Sequence, residues 1–201
     1  MTKKNYGEEC HSLLNREFVA AGYKITSDIV LDPVPENSKY QALTFALNNC
    51  HIFYRNGNVT PDRPGAFLSV WQRPSATPTN KANNKPVPLN YDELDYLFVQ
   101  VQEHASVASI ENSLSNPKRG LFIFPVSILI EKGIVSSTSK KGKTGFRVFP
   151  PWSQNRGAQG TKVFSASGKK TQRWQLPYFI KIDENGLMNP NHINNLLGSV
   201  K

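Results

Sequence analysis

The side chains that could do chemistry in this sequence are few and unevenly placed. Cys10-His11 and Cys50-His51 are both Cys-His pairs. Adjacent side chains point to opposite faces of a strand, so neither dipeptide chelates alone, and neither has the CxxC or HxxxH spacing of a zinc site. They read as buried thiols beside surface histidines, with no metal called for. A metal-dependent nuclease wants one acidic residue near a strand start and another on the next strand, two positions ahead of a lysine, to hold Mg²⁺ and position water. Asp62, in Thr60-Pro61-Asp62-Arg63-Pro64-Gly65, is the weak catalytic candidate for the first. The following strand, Phe67 to Arg73, offers no carboxylate. Asp95 and Glu103 bracket another strand, but extended backbone holds them about 26 Å apart. Asp62 therefore reads better as a turn residue. No nucleophile elbow, Walker loop or dinucleotide fingerprint occurs, and no cofactor is implied. Gly142-Lys143-Thr144-Gly145 shares part of a phosphate loop, and a turn of its amides beside lysines would suit an anion nest.

Charge is the stronger signal. The 201 residues carry a formal charge of +9, and the isoelectric point is about 9.6. Between Ser115 and Ile182 stand thirteen lysines and arginines and a single acid, Glu131, so this third carries +12 and the remainder −3. Segregation of this kind is the footprint that phosphate backbones select. Aromatic residues are interleaved with the charges: Phe146, Phe149, Trp152, Phe164, Trp174, Tyr178 and Phe179 among Arg147, Arg156, Lys162, Lys169, Lys170 and Arg173. Aromatic faces stack bases while lysine and arginine neutralise phosphates. Phe146 and Phe179 read as core; Trp152, after two prolines and before a polar loop, is equally suited to either role. The candidate nucleic-acid-binding residues are Lys143, Arg147, Trp152, Arg156, Lys162, Lys169, Lys170, Arg173 and Trp174. Arg147 alternates with Phe146 and Val148 and should project into solvent or a groove, where its removal would weaken binding and leave stability unchanged.

The elements that must position these residues can be read from periodicity. Residues 8–22 read as a helix stopped by Gly22, and Asp32-Pro33-Val34-Pro35 breaks the chain beyond Leu31. From Gln41 the period becomes two, and His51 to Arg55 is a second strand. Asn56-Gly57 is a hairpin-grade turn signal, with a third strand over Ala66–Gln72. Pro74 to Asn90 reads as an exposed loop. Tyr96 to Gln102 alternates as a strand, residues 103–119 suggest a short helix and a turn, and Leu121 to Phe124 is a fully apolar strand. It runs into a helix that begins near Pro125 and ends at Gly133. A basic loop, a strand over Phe146–Phe149, a short helix from Lys169 to Leu176, a strand over Tyr178–Ile182 and a terminal helix over Pro190–Leu197 complete the chain. One domain, residues 1–201, with a mixed β-sheet flanked by helices is expected, of α/β or α+β class. No apolar run approaches the roughly 20 residues that span a bilayer, and the N-terminus lacks a signal-peptide stretch, so a soluble cytoplasmic protein is expected.

Several blocks carry a resemblance. YRNGNVTPDRPGAFLSVWQR, GLFIFPVSILIEKGI and GKTGFRVFPPW followed by KKTQRWQLPYF resemble the signature blocks of the MepB family of bacterial proteins, over roughly residues 40–182. The resemblance implies an α/β fold like that of tRNA-splicing and restriction endonucleases. The nuclease-type acid–x–lysine is absent from the expected strand, which reads Trp71-Gln72-Arg73. The expectation is thus a cytoplasmic nucleic-acid-binding protein, of DNA or RNA, without hydrolytic activity. The alternatives are a divergent metal-dependent nuclease using Asp62, and an adaptor whose basic face meets an acidic protein.

Overall fold

The computed structural model describes residues 6–32, 35–60, 62–73, 85–103, 117–155 and 163–198. Its centre is a six-stranded sheet formed, in spatial order, by Val30–Leu31 (β1), Leu43–Leu47 (β2), Cys50–Asn56 (β3), Tyr96–Gln102 (β8), Arg119–Pro125 (β9) and Phe179–Ile182 (β11). β3 and β8 pair in parallel and every other neighbour is antiparallel, so the sheet is mixed and the class is α+β. Both faces of the sheet are buried, which is why β8 and β9 are nearly continuous in apolar residues. On one face Phe98, Leu121, Ile123 and Ile180 meet Leu14 and Phe18 of the N-terminal helix and Ile193 and Leu197 of the C-terminal helix. On the other, Leu97, Val99, Phe122 and Phe124 meet Leu68, Leu129 and Val148.

The N-terminal helix, Tyr6–Leu13 (α1), continues as a π-helical stretch over Leu14–Val19 and closes at Gly22, where φ is +94°. The C-terminal helix, Pro190–Leu197 (α4), starts at Asn189, whose side chain accepts from the amides of Asn191 and His192. The opposite face is covered by a small antiparallel sheet whose order is Gly145–Val148 (β10), Ala66–Ser69 (β5) and Asn58–Val59 (β4). Beside it lie Val126–Glu131 (α2) and Ala166–Gln175 (α3). Among the described residues no helix is long and apolar enough to cross a membrane.

Three expectations need correction. The two-residue hairpin lies at Asn48-Asn49, where φ is +47° and +64°, and not at Asn56-Gly57. Asparagine tolerates the left-handed region, and such a turn matches the twist of β2 and β3. At Gly57 the chain instead leaves the main sheet and enters the small one, its amide bonded to the Gln100 carbonyl at 2.8 Å. The strand expected over Ala66–Gln72 divides at Val70 into β5 and a short strand, Trp71–Gln72 (β6). β6 pairs with Val87–Pro88 (β7), so the end of the expected Pro74–Asn90 loop is ordered, and Leu89 behind it is fully buried. Most of the 103–119 segment, expected as a short helix and a turn, lies outside the described residues, at 104–116.

Candidate nucleic-acid interface

β10 carries the alternation the sequence implies: Phe146 and Val148 are buried, Arg147 is half-buried on the other side. Two glutamines fasten α3 to this strand. The fully buried Gln175 accepts from the Phe149 amide at 2.8 Å and donates to the Arg147 carbonyl at 2.9 Å. Gln172 donates to the Pro150 carbonyl at 2.9 Å. The blocks Arg-Val-Phe-Pro-Pro-Trp and Thr-Gln-x-Trp-Gln are thus two halves of one joint, in which side-chain amides replace the strand that β10 lacks on this side. Ser165 caps α3 by accepting from the Gly168 amide at 3.1 Å, which starts the helix three residues before Lys169.

Between α2, β10 and α3 this joint leaves a cleft of about 330 Å³, lined by Lys132, Lys143, Arg147, Thr171 and Trp174 over a floor of Phe146 and Phe149. The Lys132 ammonium lies 5.8 Å from the centre of the Trp174 ring and 2.6 Å from the Glu131 carboxylate. Trp174 leans on Phe124, ring centres 5.7 Å apart. Lys143 is exposed, and Lys169, Lys170 and Arg173 stand exposed on α3. Helical spacing puts Lys170 one turn from Trp174 and Lys169 one turn from Arg173. Lys132 and Thr171 were missed as site residues because α2 and α3 meet only through the fold.

Arg147 is less free than its position in sequence implies. Its guanidinium donates to the Pro64 carbonyl at 3.2 Å and to the Thr60 hydroxyl at 3.1 Å, and lies 5.8 Å from the centre of the Phe67 ring. Burial, reinforced by nearby Arg63, pulls its pKa down. Its side chain is therefore tied to Pro64 and Thr60, although Arg147 is also among the residues that line the cleft. Trp152 lies outside this cleft, half-buried against Phe179 in a second groove with Lys118 and Lys181. Arg156 and Lys162 lie outside the described residues.

The other constellations resolve differently. The amides of the glycine-lysine turn are consumed internally: Gly142 donates to the Ser136 hydroxyl at 3.0 Å and Lys143 to the Ile134 carbonyl at 2.9 Å, so these two do not form an anion nest. Cys10 is buried, which pushes its thiol up to about 12, far from the thiolate a metal requires. His11 is exposed and bonded to Asn15, and Cys50 is half-buried beside an exposed His51. Asp62 is exposed, 3.6 Å from Arg63. Among the described residues there is no group of three or more His, Cys, Asp or Glu side chains placed to hold a metal ion. Other carboxylates are engaged by the chain itself. Asp32 accepts from Arg55 at 2.9 Å and from Asn37 at 3.1 Å, Glu36 pairs with Arg73, and Glu93 accepts from Gln72 and from the Asn90 amide.

Arg55 is itself fully buried, and desolvation lowers its pKa to about 10 although Asp32 opposes the shift. Ser69, donating to Asn37 at 2.7 Å, links this buried pair to the small sheet.

Comparison with known proteins bears on the same blocks. The MepB-like family model matches residues 34–181, which include both halves of the β10–α3 joint. The chain belongs to the MepB-like family. It is also similar to the crystal structure of MepB, with a TM-score of 0.59 and 26 % identity over 92 % of this chain and 99 % of that one. No curated protein matches the sequence.

Proposed function

We propose that this MepB-like protein binds nucleic acid in the cytoplasm without cleaving it, through the cleft between α2, β10 and α3 and the exposed face of α3. The supporting observation is convergence: Lys132, Lys143, Arg147 and Trp174 share one cleft, and Lys169, Lys170 and Arg173 stand on the helix that walls it. Cations at a groove neutralise phosphates, and an aromatic at its edge supplies a stacking face. We read the mixed sheet as a variant of the tRNA-splicing and restriction endonuclease architecture. Its nearby carboxylates are engaged by Arg55, Arg73 and Gln72, and Trp71-Gln72-Arg73 stands where an acid–x–lysine would.

Filter binding with labelled DNA and RNA, from about 50 to 300 mM salt, tests this reading. The expected result is an affinity that falls linearly with salt on logarithmic axes. In a Lys170→Ala/Arg173→Ala double variant the slope flattens by about one unit for each lost phosphate contact, with an unchanged melting curve. Absence of binding at low salt, or binding without salt dependence, overturns it. Magnesium- or manganese-dependent nicking that disappears in Asp62→Ala would favour a nuclease instead.

A further inference from the structure

β11 is an edge strand, and alternation divides its side chains: Ile180 and Ile182 join the helix-side core, while Phe179 and Lys181 face the other way. Phe179 lies across the neighbouring strand at Gly120, where an added Cβ would come within 2.1 Å of the ring. Trp152 meets Phe179 at a steep angle, ring centres 5.5 Å apart and planes at 75°. Together with Pro151 they floor a predominantly apolar groove of about 490 Å³, rimmed by Lys118, Lys181 and His192. This size suits a small planar group.

We propose that this groove takes one unpaired base of a single-stranded nucleic acid, with Lys181 and Lys118 on the adjoining phosphates. The inference rests on the nucleic-acid reading above and specifies the strand class. A nucleotide couples an apolar planar face to an anion, and the groove offers the half-buried Trp152 ring, backed by the buried Phe179, beside two exposed ammonium groups, with no acidic residue among its described lining. Lys118 lies 3.3 Å from the Glu103 carboxylate, a solvent-exposed pair of small energetic weight that a phosphate can displace. A base within a duplex hides both faces in its stack, so a slot of this kind engages bases that are unpaired. The groove and the α3 cleft share a side of the main sheet, since Trp152 and Trp174 lean on the same core.

The test is fluorescence anisotropy with the full chain and three labelled probes. These are a single strand of about twelve nucleotides, within the site size of single-strand binders, the same strand in a duplex, and the same strand carrying abasic sites. Wild type is expected to bind the intact strand more tightly than the abasic one. Trp152→Ala should weaken the intact strand by roughly five- to a hundredfold, leave the abasic strand and the duplex within about twofold, and be largely rescued in Trp152→Phe. Lys181→Gln, an exposed change that leaves the fold intact, should lower the salt slope by about one unit. If Trp152→Ala fails to fold, the intact-against-abasic comparison, Trp152→Phe and Lys181→Gln decide. Salt-dependent binding that treats all three probes alike, or is indifferent to these variants, overturns the slot and leaves the nucleic-acid reading standing. Binding of no probe overturns both.

Discussion

Gln175 spends both ends of its amide on the backbone of β10, and nothing else described satisfies the Phe149 amide there. Gln175→Leu would leave a buried donor and a buried acceptor unpaired, at about 1–3 kcal/mol each. The expected outcome in urea denaturation is a loss of about 2–4 kcal/mol, larger than for Gln172→Leu, which removes one bond from a half-buried side chain. A glutamine in a polar helix looks solvated in sequence, so this role was not legible there. Arg147 is the opposite case, legible as a cation but not as an anchor. Its bonds to Pro64 and Thr60 make Arg147→Ala expected to cost about 1–2 kcal/mol of stability, where alternation alone suggested none. Arg147→Lys separates the two roles. It keeps the charge and loses the planar fork, so stability should fall while most of the affinity for nucleic acid survives. Calorimetric melting alongside the binding titration reads both quantities. Affinity lost equally in both variants would mean that the loop, not the charge, matters for binding.

Among the elements, the alternating and apolar runs are legible in the sequence because period two and continuous burial are local signals. β2, β3, β8 and β9 fall where Leu43–Leu47, His51–Arg55, Tyr96–Gln102 and Leu121–Phe124 pointed. The turns are not, because Asn-Asn and Asn-Gly are both good turn formers and which one reverses the chain depends on what each strand pairs with. Gly57 is needed for close approach: a Cβ there would lie 2.8 Å from the Ala66 Cβ and 3.0 Å from the Val101 Cγ1. Gly57→Val is therefore expected to wedge β4 away from β8 and to cost about 1–3 kcal/mol through overpacking, measured by urea denaturation. A variant as stable as wild type would mean that the small sheet docks with more slack than the geometry gives it.

At the scale of the molecule, the central sheet is shared by two cores, so neither side can melt alone while β8 and β9 stay buried. Leu121 and Phe122 are successive residues of β9, fully buried on opposite faces. Leu121→Ala and Phe122→Ala are each expected to cost about 3–5 kcal/mol. Each should lower a single cooperative transition, with tryptophan fluorescence and far-ultraviolet circular dichroism coinciding. Fluorescence reports chiefly the second core, against which Trp152 and Trp174 lean, so separated transitions would show that the two cores unfold independently. The basic third does not map to one surface in full. Lys132, Lys143, Arg147 and α3 gather at the cleft and Lys118 and Lys181 at the neighbouring groove, whereas Arg119 lines a separate polar groove with Glu8 and Arg16.

Composition and order along the chain determined that positive charge concentrates between Ser115 and Ile182, that aromatics run through it, and that a sheet buried on both sides forms the centre. These are properties of neighbouring residues, and neighbouring residues carry them. The tertiary structure decided which charges share a groove, that Lys132 faces Trp174, that Arg147 is tied to a loop more than eighty residues away, and that Trp152 belongs to a different groove from Trp174. Those facts depend on β10 pairing with β5 and on two glutamines seating α3 against it. Such long-range contacts are set by how whole faces fit together, and no local pattern specifies the fit.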